Sequence, residues 1–288
     1  MNEDMTGRGR PTCWGIYRET SHSPGREGDD EAILNATAAR LERMGFDVAL
    51  CRPDAADAAL HRPGACIFSM CERHEIVEAL RRARHGGAMI VNPPDAVLNT
   101  YRHRTLDLFT RAGISAPPGR LVATDPTTPP PDMPVWIKRY DFHATQPGDV
   151  LRAATAAEWR AALGRFAGRG IPFVVIQNHV PGDLIKFYGV RRPGAAAPAW
   201  FVWFHHRDQI LAGHAVDEAA LQKAARAAAA ALGVEIFGGD AIVGADGRPM
   251  IIDLNAWPSF ALYREDAAQA IAEHLAWRFT RQAATAAD

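Results

Sequence analysis

Between residues 13 and 91 the chain alternates short apolar runs with helical repeats, and this restricts its fold more than any other feature. Runs at 13–17, 46–51, 65–70 and 88–91 read as strands. Ile33, Leu34, Ala38 and Leu41 recur at helical spacing, which predicts a helix over 30–44 with Asp29 and Asp30 as capping candidates. A second helix is expected over 73–84. Strand–helix–strand repetition is the pattern of a parallel, doubly wound sheet, because parallel neighbours need a long crossover. Asn92-Pro93-Pro94 breaks it.

Charge narrows the classes of function. The chain has 288 residues, with 32 Lys and Arg against 33 Asp and Glu, a net charge of −1. That is not the basic excess of a nucleic-acid binder. A hydrophobic share of 48% supplies enough apolar surface to fold. No apolar run reaches the roughly 20 residues that span a bilayer. Residues 1–11 are polar, resemble no signal peptide, and are expected to form a disordered tail. Cys13, Cys51, Cys66 and Cys71 contain no C-x-x-C pair and read as free thiols of a cytoplasmic protein.

Further along, a helix is expected at 105–112, a proline-rich exposed loop at 125–134, and strands at 135–138, 173–177, 185–190 and 199–205. Helices are expected at 158–166, 218–232 and 264–279. The aromatic run Trp200, Phe201, Trp203 and Phe204 reads as strand packing. Neither a G-x-x-x-x-G-K-[ST] loop nor a G-x-G-x-x-G fingerprint is present.

The segment 239–255, GDAIVGADGRPMIIDLN, is the most informative. Asp246-Gly247 between two apolar strands predicts a hairpin with a two-residue loop. In that register Asp240 faces Asp253, and Asn255 lies on the same face. Like charges directly opposite destabilise a sheet unless something neutralises them. A hard divalent cation such as Mg²⁺ does so. The competing reading is one Asp at a turn and the other solvated at an edge.

Lysine is scarce. Lys138 ends the apolar run VWIK, and Lys186 lies within LIKFYGV. An ammonium in such a strand needs a partner, and phosphate oxygens are a natural one. The alternative is a lysine that reaches out to solvent from the strand end. The polar loop after Lys138, RYDFHATQPGD, can offer backbone N–H groups with His143, Thr145 and Gln146 to an anion.

These pieces in this order resemble the ATP-grasp superfamily over roughly residues 92–278, and within it the inositol trisphosphate/tetrakisphosphate kinases. A His follows the strand lysine by five. A Gln-Asn pair precedes the Lys186 strand, and GGDAIV and DLNAWPSF match the family's metal strands. Ala144 stands where the family has Gly, and Ser259-Phe260 where it has Gly-Tyr. The resemblance implies an α/β chain: a tail at 1–11, a Rossmann-like parallel-sheet lobe at 12–95, and an ATP-grasp domain at 96–288 whose two α+β subdomains, 96–178 and 179–288, clasp ATP.

It also implies roles for single residues. Lys138 and either Arg102 or Arg104 would meet ATP phosphates, with Thr145 beside them. Gln177, Asn178, His179 and Val180 would hold adenine through their backbone, and Asp183 would reach the ribose. Lys186 and His143 would face the acceptor. Asp240, Asp253 and Asn255 would hold Mg²⁺. The long loop after the first strand makes Arg18, His22 and Arg26 acceptor-site candidates, although Glu19, Asp29 and Asp30 suit a highly phosphorylated substrate poorly. The function implied is transfer of the γ-phosphoryl group of Mg-ATP to a hydroxyl of a small polyol phosphate, with no nucleic-acid or membrane partner. The alternatives are an ATP-grasp carboxylate–amine ligase acting through an acyl phosphate, and a non-catalytic nucleotide-binding module.

Overall fold

A computed structural model describes residues 10–125 and 127–285. Most of the expected tail over 1–11 therefore lies outside the described residues. The chain forms two compact units: one from residues up to 19, 25–91 and from 259 onward, the other from 20–24 and 92–258.

The first unit opens with β1 (Thr12–Ile16), α1 (Glu27–Arg43), β2 (Asp47–Cys51), the single-turn α2 (Asp57–Leu60), β3 (Cys66–Ser69), α3 (His74–His85) and β4 (Met89–Val91). The strands form one parallel sheet in the order β2-β1-β3-β4. Parallel strands are buried on both faces, and Ile16, Ile67, Phe68 and Val91 are inaccessible. Gly15 leaves no room for a side chain, since a Cβ there would fall 2.4 Å from Leu50. Helix α1 begins earlier than expected. Asp29 and Asp30 lie inside its first turn, where they favour the helix dipole instead of capping it, and the cap position is Arg26. The four thiols are free; burial lifts Cys13 to about 12 and Cys66 to about 11, so both stay protonated at neutral pH.

In the second unit Asn92-Pro93-Pro94 starts a helix where the sequence suggested only a break. Pro94 sits in the first turn of α4 (Pro94–Asn99), where its missing N–H costs nothing. Helix α5 (Arg102–Ala112) stops at Gly113, which takes the left-handed conformation with φ 63°. An antiparallel sheet follows from β5 (Gly119–Ala123), β6 (Val135–Arg139), β7 (Val150–Ala153) and, after α6 (Ala156–Gly168), β8 (Phe173–Asn178). Its order is β5-β8-β6-β7. Val135, Ile137, Val174 and Ile176 pack on Trp159 and Phe166 of α6. The opposite face carries Trp136, Lys138, Val175 and Gln177, as the register requires.

A second antiparallel sheet consists of β9 (Asp183–Val190), β10 (Trp200–His205), β11 (Ile236–Val243) and β12 (Pro249–Ala256), ordered β10-β9-β11-β12. Between β10 and β11, α7 (Glu218–Leu232) buries Ala225, Ala228 and Ala229. The aromatic run on β10 packs as expected, with Phe201 stacked on Phe187 and Phe204 tilted against Tyr188. The chain then returns to the first unit as α8 (Arg264–Thr285), whose Arg264 pairs with Asp29 at 2.7 Å. Among the described residues no helix is long and apolar enough to cross a membrane.

Candidate active site

The hairpin reaches the expected pairing by a different route. Its ladder closes at Val243–Pro249, and Gly247 N–H donates to Gly244 O, so the connection is longer than two residues. A bulge compensates: Asp240 pairs with Asp253 but Ala241 with Ile251, leaving Ile252 as the extra residue. Asp240 thus faces Asp253. On the other side Lys186 of β9 faces Asp240, and its Nζ lies 2.8 Å from Asp240 Oδ1. The next row reads Tyr188, Gly238 and Asn255. Gly239 is needed behind this row, since a Cβ there would fall 2.5 Å from Asp253 O.

The first antiparallel sheet brings its own cations to the cleft. Lys138 is buried and donates to Ile252 O at 3.0 Å, the carbonyl of the bulge residue. Arg102, at the start of α5 and also buried, donates to Phe142 O at 2.9 Å and to Asp253 Oδ2 at 3.3 Å. Arg102, Leu106, Lys138, Gln177, Ile252 and Asp253 line one cavity. Burial pushes Lys138 down to about 8, because the charged form is poorly solvated there. Burial alone would raise Asp253, but Arg102 and Lys138 outweigh it and hold its carboxyl below the usual range.

No family model matches this sequence, and no curated protein does. Solved structures do. A RimK domain ATP-grasp protein from Sphaerobacter thermophilus DSM 20745 aligns with a TM-score of 0.64 at 17% identity, over 91% of this chain and 99% of that one. D-alanine–D-alanine ligase from Bacillus anthracis, complexed with ATP, gives 0.65 at 13% identity over 94% and 98%. The ligase PsnB, complexed with precursor peptide PsnA2 and AMPPNP, gives 0.64 at 15% identity over 96% and 100%. The chain has the ATP-grasp fold.

Within this fold the residues singled out in the sequence separate by environment. Arg102 joins Lys138, Gln177 and Asp253 at the cavity, whereas Arg104 is exposed on α5. Thr145 and Gln146 do not turn their amides outward. Both donate to Asp149 Oδ2, at 2.9 and 3.2 Å, and the Thr145 hydroxyl does the same at 3.2 Å. Two hinge amides are also engaged, Asn178 N–H by Pro118 O and His179 N–H by Pro134 O. His179 Nδ1 further accepts from the Trp136 indole at 3.2 Å. Asp183 is buried, and its two oxygens accept from Ala212 N–H at 2.6 Å and His214 N–H at 2.8 Å, so it anchors the loop after β10.

The acceptor candidates from the first loop are committed differently. Arg18 is buried between Asp30, at 3.0 Å, and Glu72, so its charge is matched inside the first unit. Arg26 is exposed at the cap of α1. His22 belongs to the second unit, where its ring lies 4.5 Å from that of Phe142 and its carbonyl is 3.1 Å from His143 Nε2. Sequence reasoning missed Asp149 and the Ile252 carbonyl. Nothing in QPGD marks Asp149 as buried, and the bulge shows only once the turn length is known.

Proposed function

We propose that the chain is a Mg-ATP-dependent carboxylate–amine ligase. The observation that carries this reading is the pairing of cations with protein oxygens around the cleft. Arg102 is matched by Asp253, Lys186 by Asp240, and Lys138 by the Ile252 carbonyl. Such a set can turn to the phosphates of one nucleotide but leaves little positive charge for a second, highly phosphorylated substrate. The resemblance to inositol phosphate kinases therefore gives way to the ligase alternative, in line with the ligase names of two of the solved structures above.

The donor set fits Mg²⁺. Asp240, Asp253 and Asn255 offer hard oxygens on one face. Among the described residues no group of three or more His, Cys, Asp or Glu is assembled for a metal. The shell would be completed by phosphate and water oxygens, as Mg²⁺ prefers. When bound, the ion neutralises charge that develops on the transferred phosphoryl group.

The chain's own residues then have the following tasks. Lys138 and Arg102 bind phosphate oxygens, and Lys186 turns from Asp240 toward the transferred group. Gln177, which lines the cavity with Ile252, would frame the base. The γ-phosphoryl passes to a substrate carboxylate, giving ADP and an acyl phosphate. An amine attacks that carbonyl, forms the C–N bond, and expels inorganic phosphate with loss of one proton.

The test is product balance over a panel of carboxylates, with and without amines. ADP and phosphate released together, only when both substrates are present, supports the reading. A phosphorylated hydroxyl formed without any amine would overturn it in favour of a kinase, and nucleotide binding with no transfer to any substrate would leave a binding module.

A further inference from the structure

The loop 140–149 joins β6 to β7, and its C-terminal half is tied to one internal carboxylate. The Asp149 side chain is fully buried. Its Oδ2 accepts from Thr145 N–H, Gln146 N–H and the Thr145 hydroxyl, with Arg139 at 3.5 Å, and its Oδ1 accepts from Arg169 at the C-terminal end of α6. Burial opposes ionisation, but these donors outweigh it and hold the carboxyl below its usual range.

The anchoring extends to the cleft. Arg139 lies over the Phe142 ring, 3.7 Å from its centroid, and pairs with Asp141. The Phe142 carbonyl accepts from Arg102, the same guanidinium that reaches Asp253. The next residue, His143, is held through its Nε2, 3.1 Å from His22 O. A shift of this loop therefore moves both His143 and an anchor of Arg102.

We propose that Asp149 is a positioning residue that sets the loop 140–149, and with it His143. Its consequence for turnover rests on the ligase reading. Asp149 acts through its neighbours and touches no substrate.

The test uses Asp149→Ala and Asp149→Asn in the full-length chain, with two readouts. The first needs no substrate: amide exchange of Thr145 and Gln146, and the His143 imidazole NMR signals. The expected result for Asp149→Ala is exchange about 100-fold faster at both amides, with β6 and β8 unchanged and the His143 signals shifted. Unchanged protection, or equal acceleration throughout β6 and β8, overturns the proposal. The second readout follows turnover and AMPPNP binding. kcat should fall and the AMPPNP Kd should rise, because Arg102 loses its Phe142 anchor, and adding His143→Ala to Asp149→Ala should lower kcat no further. Fully additive losses overturn the link to His143. Should the wild-type protein join no carboxylate to any amine, the ligase reading falls, while the first readout still decides the role of Asp149.

Discussion

Arg102 and Asp253 are 151 residues apart in sequence and meet at 3.3 Å, their side chains 6% and 18% exposed. Breaking such a pair from one side leaves a buried charge without its partner, at a cost of about 3–5 kcal/mol where burial is complete. The Lys186–Asp240 pair is shorter but more open, at 31% and 27% exposure, so solvent screens it.

Asp253→Asn should therefore lower Tm clearly while far-UV circular dichroism at 25 °C stays native. Asp240→Asn should cost no more than about 1 kcal/mol. Both should reduce ATP-dependent turnover by roughly 100-fold or more, if each carboxylate holds the metal. Thermal melts and turnover assays on the two variants check this. A larger loss of stability in Asp240→Asn would contradict the burial argument, and wild-type turnover in Asp253→Asn would sink the metal assignment.

Lys138→Met should separate stability from function. Burial holds Lys138 at about 8, against 10.5 in a free lysine. Between those values the unfolded chain holds the proton more tightly than the folded one, so stability rises with pH across that window. Below pH 8 the full penalty of a buried charge is present. The variant should be more stable than wild type at pH 7, with a gain that shrinks toward pH 10, and should bind AMPPNP at least about tenfold more weakly. Melts at the two pH values and a binding titration measure both effects; a variant less stable than wild type at pH 7 would refute the burial cost.

Gly239→Ala tests the tight approach behind the acidic row. The added methyl would sit 2.5 Å from Asp253 O, a backbone atom, and 2.5 Å from the tip of the fully buried Phe187 ring. Overpacking of this kind costs about 1–3 kcal/mol. Because the obstacle is the Asp253 backbone, turnover should fall further than stability alone explains. Comparing Gly239→Ala with Gly164→Ala, where the new Cβ meets nothing within 4 Å, isolates the effect.

Much of this molecule was legible before its coordinates. The parallel lobe followed from apolar periodicity alone, because parallel strands are buried on both faces. The opposition of Asp240 and Asp253 was also legible, although for an incomplete reason: the longer turn slips the ladder by one residue and the bulge at Ile252 restores it. Strands β5 and β7 were not seen, since GRLVA and VLRA are too short to show a period. Side-chain commitments were the least legible part. Thr145, Asp183 and Arg18 belong to residue types that bind ligands, and each has partners within the chain that only tertiary structure brings near.

Asp183→Asn should loosen the loop after β10 in a pH-dependent way. The two carboxylate oxygens each accept a backbone N–H, from Ala212 and His214, and the loop tip holds Ile210 fully exposed. Burial would raise this carboxyl, but the two N–H donors outweigh it and hold it below its usual range. The stabilisation is then complete above the unfolded carboxylate range, near pH 4, and is lost as pH falls through the lower folded value. Asparagine keeps one acceptor oxygen and leaves one N–H without a strong partner, a cost of about 1–3 kcal/mol. Urea unfolding should show the variant weaker at pH 7, with the gap narrowing at pH 3, and protease should cut between Ile210 and Leu211 faster in the variant at neutral pH. An equal gap at both pH values would mean that the Asp183 charge does not hold the loop.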